Sequence, residues 1–146
     1  MRADFAGVPI FAGLSEAALD LLSKRIEEAQ VPAGTLILRE GEPGNRFFLI
    51  VSGSVRVCKA YGTREETLLA VLKPKDFFGE MCVLETLPRA ATVVAAEATA
   101  YNSLPSVAFY HLYKEMADQH SILVLNIARD LSRRLRHMDE AFAARH

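Results

Sequence analysis

Between residues 76 and 93 the chain reads DFFGEMCVLETLPRAATV, a mostly apolar stretch that carries a glycine at 79, a carboxylate at 80 and a guanidinium at 89. It is too irregular for a strand and too short for an ordinary helix. Gly79 lets the backbone approach a ligand closely, and Glu80-Met81-Cys82-Val83-Leu84 can form one or two helical turns whose free N–H groups face an anion. Arg89, fixed behind Pro88, presents a planar fork of donors suited to phosphate oxygens. Ala90 and Ala91 are small enough for their own N–H groups to reach the same oxygens. A bare phosphate would be repelled by Glu80. A carboxylate there makes sense if it accepts a hydrogen bond from a sugar hydroxyl while Arg89 neutralises the phosphate, which together describe a ribose phosphate. The plainer alternative is a Glu80–Arg89 ion pair that holds the loop together, a weak source of stability compared with apolar packing.

Such a segment needs a scaffold. At 146 residues and 51% hydrophobic, the chain suits a single domain over residues 1–146. A helical opening over about residues 1–30 is expected from SEAALDLLSKRIEEA, which places Ala18, Leu21, Leu22, Arg25 and Ile26 at helical spacing behind a Ser15 cap. From about 31 to 104 the texture changes to short β-branched and aromatic runs: TLILRE, NRFFLIVSG, SVRVCKAYG, ETLLAVL and ATVVAAEATAYNSL. Turn residues separate several of them: Glu42-Pro43-Gly44-Asn45, Ser52-Gly53-Ser54 and Tyr61-Gly62-Thr63. Many short strands predict a mainly β fold, a jelly-roll-like barrel or roll flanked by helices.

From about 105 to 142 the helical period returns, in PSVAFYHLYKEMADQ and again in SILVLNIARDLSRRLRHMDEAFAAR. In the second, Val124, Ala128, Leu131, Leu135, Met138 and Phe142 alternate steps of four and three, which fits a core stripe or a homodimer seam.

Composition narrows the function. Lysine and arginine number 17 against 18 aspartate and glutamate, so no chain-wide field would hold the protein to nucleic acid or an anionic membrane. The N-terminus lacks a secretory pattern and no stretch reaches a spanning length of about 20 apolar residues, so a cytoplasmic location without membrane contact is expected. Cys58 and Cys82 are far apart with no CxxC, which suggests small buried thiols and no metal site. No Ser-His-Asp set, HExxH or GxSxG is present, so no catalytic residue and no enzyme activity is assigned.

At this point the residues match a family. FGEMCVLETLPRAATV closely resembles the phosphate-binding cassette of the cyclic nucleotide-binding domains found in cAMP-dependent kinase regulatory subunits and the catabolite activator protein. FAGLSEAALDLLS is similar to that family's opening helix, GTLILREGEPGNRFFLIVSGSVRV to its first hairpins, and NIARDLSRRLR to its closing helix. The resemblance implies that Gly79 contacts the ribose through its backbone, Glu80 holds the 2′-hydroxyl, Arg89 pairs with the cyclic phosphate, and Ala90 and Ala91 donate N–H bonds to it. Met81 falls within the same cassette. A Ser or Thr after the arginine would favour guanine, so Ala90 tips the ligand toward cAMP, with no further cofactor. Arg133 and Arg134 are the candidate lid residues over the base, set against a reading of each as a solvated helix charge.

Other readings keep the fold and change the ligand: cGMP, a cyclic dinucleotide or haem. A haem would need an axial ligand from His111, His120, His137 or His146, all in the helical C-terminal part. Because NIARDLSRRLR is read as the closing helix and lies close to residue 146, no DNA-binding domain is expected within these residues. The chain is therefore expected to act through an effector protein, or to be the ligand domain of a longer regulator, with the last helix serving as lid, output and dimer contact.

Overall fold

A computed structural model of the chain describes residue 5, residues 7–80 and residues 88–144. Ser15 caps the first helix, α1 (Glu16–Ser23), its hydroxyl accepting from the Ala18 amide at 3.2 Å. The helix stops well short of residue 30. Glu27–Val31 is instead strand β1, paired along its whole length with β8 (Thr99–Pro105), so Arg25 and Ile26 lie beyond the helix. From Glu28 onward exposed and half-buried residues alternate, which suits that ladder, and long-range pairing overrides the local helix preference of Glu, Ala and Gln.

Among the described residues eight strands form two antiparallel four-stranded sheets, a sandwich of jelly-roll type. One runs β1-β8-β3-β6, where β3 is Arg46–Ser52 and β6 is Phe77–Phe78; the other runs β2-β7-β4-β5, from Leu36–Leu38, Thr92–Ala95, Val55–Lys59 and Thr67–Leu72. The β3–β4 turn depends on Gly53. It has φ +86°, and an added Cβ would lie 2.5 Å from the Ala98 carbonyl.

Strand β3 reads as a continuous apolar run because both of its faces are buried. Phe48 and Ile50 point into the sandwich with Val55, Leu72, Phe78 and Val93. Phe47 and Leu49 point outward into a second core, where Leu104 and Phe77 meet Leu22, Phe109, Leu112, Leu123 and Ile127 of the helices. The two-residue strand β6 is held on both sides by the same partners. Phe78 stacks on Phe48 at 4.8 Å and Phe77 on Phe47 at 5.4 Å, each pair contributing about 1 kcal/mol beyond its buried area. That anchor fixes where the chain leaves the sheet at Gly79.

Two helices follow β8. The first, α2 (Ser106–Glu115), ends at Met116 (φ −143°, ψ 67°), and α3 runs over Ala117–Ala144. Ala117, Asp118 and Gln119 therefore belong to the second helix, not the first. The stripe that α3 buries is Leu123, Asn126 and Ile127, offset from the expected Val124-to-Phe142 seam, none of whose members is fully buried. Asn126 registers the helix by donating to the carbonyls of Ile10 and Ala12 at 2.9 and 2.8 Å. Cys58 is a buried free thiol on β4; Cys82 lies outside the described residues.

Candidate functional site

A cleft of about 760 Å³ opens between the interior of the second sheet, the segment around residues 79–80 and 88–91, and the C-terminal half of α3. Its floor is apolar, with Leu38, Val57, Ala70, Leu72, Phe78 and Val93. Gly79, Glu80, Arg89, Ala90 and Ala91 line one side. The volume lies in the range of small-molecule sites, about 300 to 1,000 Å³. Met81 lies outside the described residues.

Gly79 follows directly from the anchored Phe77-Phe78 pair and has φ +77°. Its missing side chain makes room for protein: a Cβ there would stand 2.8 Å from the Arg46 carbonyl, 3.1 Å from Phe48 and 3.1 Å from Arg89 Nη1. Arg89 is half-buried. It donates from Nη2 to the Arg46 carbonyl at 3.2 Å, and its guanidinium carbon lies 5.8 Å from the centre of the Phe48 ring. On its other side stands Gly44, whose Cα would carry any side chain straight into the guanidinium. Gly44 lacks a positive φ, so its role there is space, where turn geometry was the expectation.

The backbone of Arg89 is fixed from the same loop. Its N–H donates to the Glu42 carbonyl and its carbonyl accepts from the Gly41 N–H, both at 2.8 Å. These bonds leave the guanidinium in the cleft wall, where an anion with planar oxygen pairs would find it. Glu80 is half-buried in the same wall.

Two residues that the sequence did not single out act on the next peptide. Lys59 Nζ donates to the Ala90 carbonyl at 2.9 Å and pairs with Glu40 at 3.1 Å. Glu40 accepts from the Ala60 N–H at 2.9 Å, and its own N–H donates to the Thr92 hydroxyl at 3.0 Å. The Ala60 hydrogen bond, reinforced by Lys59, holds the Glu40 carboxyl below its usual range.

The two arginines of α3 differ. Arg133 is exposed at the cleft. Arg134 is committed to the protein: it donates to the Phe77 carbonyl at 2.8 Å, pairs with Asp130 at 2.7 Å and lies over the Phe77 ring at 4.4 Å. It therefore ties the helix to β6 two residues before Gly79. Leu131, Leu135 and Met138, read from sequence as a core or dimer stripe, line the cleft, as does His137. Their periodicity was visible, but which partner they face depends on how α3 crosses the sandwich.

Among the described residues no group of three or more His, Cys, Asp or Glu side chains could hold a metal ion, and no helix is long and apolar enough to cross a membrane.

Comparison with known proteins bears on this geometry. The family description "Cyclic nucleotide-binding domain" matches residues 28–116. The cyclic AMP receptor protein of Thermus thermophilus is 33% identical over 133 residues, which are 91% of this chain and 60% of that protein. The chain thus spans about three fifths of the length of that curated relative. A cyclic nucleotide-binding domain from Methylobacillus flagellatus superposes with a TM-score of 0.86 at 22% identity, over 99% of this chain and 85% of the other. The regulatory domain of Toxoplasma gondii PKA, solved with cAMP, gives a TM-score of 0.65 at 31% identity, covering 70% and 39%.

Proposed function

The chain belongs to the cyclic nucleotide-binding domain family, and from that premise we propose that it is a sensor module whose ligand is cAMP and which does no chemistry on it. The observation that carries this reading is the Arg89 guanidinium. It is held between Gly44 and Gly79 in the wall of a mostly apolar cleft, with Glu80 alongside and the small residues Ala90 and Ala91 following. A cyclic phosphate would pair with Arg89 and accept from the amides of Ala90 and Ala91, while Glu80 would accept from the ribose 2′-hydroxyl. The purine would lie toward the apolar floor and α3, with Arg133 near it. Arg134 acts instead as a fixed link between helix and sheet.

Three features support cAMP over cGMP. Ala90 offers no hydroxyl to a guanine amino group, one relative is named as a cyclic AMP receptor, and another similar domain was solved with cAMP. Residues 1–146 act as one ligand-binding domain. Ligand binding selects among positions of α3, which forms one wall of the cleft and passes the change to an effector domain or partner through differential affinity. In that scheme α3 also supplies the homodimer contact, a reading supported by Phe142, 65% exposed near the end of the helix.

Calorimetry with cAMP, cGMP and a cyclic dinucleotide tests ligand class and base together. Saturable one-to-one binding of cAMP, tighter than cGMP, is expected. No heat with any of the three, or a haem absorbance band in purified protein, would overturn the reading.

A further inference from the structure

Ala90 and Ala91 precede β7 and carry no side chain able to orient their own peptides. The structure orients them from outside. Residues 89–92 lie against residues 40–42 through the paired bonds of Arg89 and through the Glu40 N–H on the Thr92 hydroxyl. On the other side Lys59, at the end of β4, reaches the Ala90 carbonyl at 2.9 Å. The chain has no cis peptide bond among the described residues, and in a trans peptide the carbonyl and the following N–H point in opposite directions. Fixing the Ala90 carbonyl on Lys59 therefore fixes the direction of the Ala91 N–H.

Lys59 is itself held. Glu40 pairs with its ammonium at 3.1 Å, and the other carboxylate oxygen accepts from Ala60, a non-glycine residue at φ +55° that closes the end of β4. Both side chains are substantially solvent-exposed, so an ion pair of this kind contributes little to folding. Its consequence lies in what it aims.

From this bracket we infer that Lys59 and Glu40 are positioning residues for the anion-facing tip of the cleft, acting through the peptide between Ala90 and Ala91. The inference rests on the reading of the cleft as a cyclic nucleotide site. Main-chain donors bind an anion well only when held within hydrogen-bonding geometry before it arrives.

The test is calorimetric titration of the full chain with cAMP, using the parent, Lys59→Met, Lys59→Arg, Glu40→Gln and the double variant Lys59→Met/Glu40→Gln. Lys59→Met should weaken cAMP by about tenfold, the loss of one charge-assisted hydrogen bond. The defect should persist near 1 M salt, where the screening length is about 3 Å and a diffuse charge effect would vanish. Lys59→Arg, which still donates to a carbonyl, should recover most of the affinity. Glu40→Gln should weaken binding in the same direction, and the double variant should be no weaker than Lys59→Met alone.

Binding by Lys59→Met within about twofold of the parent, or recovery of its affinity in high salt, would overturn the inference. Should Lys59→Met fail to melt cooperatively, Glu40→Gln decides: unchanged affinity counts against the bracket. A parent that binds no cyclic nucleotide removes the underlying reading as well, whereas a parent that binds beside an equally competent Lys59→Met removes only the bracket.

Discussion

Gly44 stands directly against the Arg89 side chain: a methyl group on its Cα would overlap Nε, Cζ and Nη2 of the guanidinium. Gly79 lies close to the same group, with its Cβ position 3.1 Å from Nη1. The arginine thus crosses a slot between two residues that lack side chains. Because the group in the way at Gly44 is the far end of a flexible side chain, Gly44→Ala should leave the fold nearly as stable as before. It should displace the guanidinium and weaken cAMP by about tenfold or more. Melting and calorimetry on one preparation separate the two effects, and unimpaired binding would show that Arg89 tolerates another path.

Gly79→Ala should behave in the opposite way. Its φ of +77° and the 2.8 Å approach to the Arg46 carbonyl oppose any side chain with backbone, which cannot swing aside. A loss of about 1 to 3 kcal/mol of folding stability is expected, measured by urea unfolding. A variant as stable as the parent would mean that the segment relaxes.

The contrast between these glycines marks how far sequence could be read. FGE and PRAAT placed Gly79, Glu80, Arg89, Ala90 and Ala91 together because a phosphate-binding segment needs those residue types close in sequence, and the structure brings all five to one cleft. Gly44 and the Lys59–Glu40 pair were illegible as site residues. Gly44 and Glu40 come from the connection between β2 and β3 and Lys59 from the end of β4, and they meet residues 89–92 only once β2, β4 and β7 are assembled. The strand Glu27–Val31 was hidden for a related reason: its partner, Thr99–Ser103, lies far along the chain, and nothing local in EEAQV outweighs a helical reading. Strand β6 was hidden by its length, two residues held by aromatic stacking on both faces.

Arg89→Ala should remove the counter-charge facing a desolvated phosphate, a loss of about 2 to 5 kcal/mol and so about 30-fold or more in affinity. The same substitution should change adenosine binding far less, since that ligand has no phosphate to neutralise. Equal losses for both ligands would assign Arg89 to the architecture of the cleft.

Ala90 is exposed at the cleft, so a larger residue there meets ligand or water before protein. Ala90→Thr places a hydroxyl that accepts from a guanine amino group, and the ratio of cGMP to cAMP affinity should rise. Competition titration of the two ligands measures it. A constant ratio would move base discrimination to α3.

His120 ties acidity to stability at the α2–α3 junction. It lies in the first turns of α3, with the Tyr113 ring of α2 edge-on at 5.4 Å, and burial pushes its pKa below the ordinary 6.5. The folded chain therefore keeps the neutral ring at a pH where the unfolded chain has begun to take up a proton. Stability should fall as pH drops below about 6.5 and level off once the folded form also titrates. His120→Gln abolishes that linkage, so the parent should lose stability relative to the variant on acidification. Urea unfolding of both proteins from about pH 8 to pH 5 gives the difference directly, and a flat difference across that span would mean the ring is as well solvated folded as unfolded.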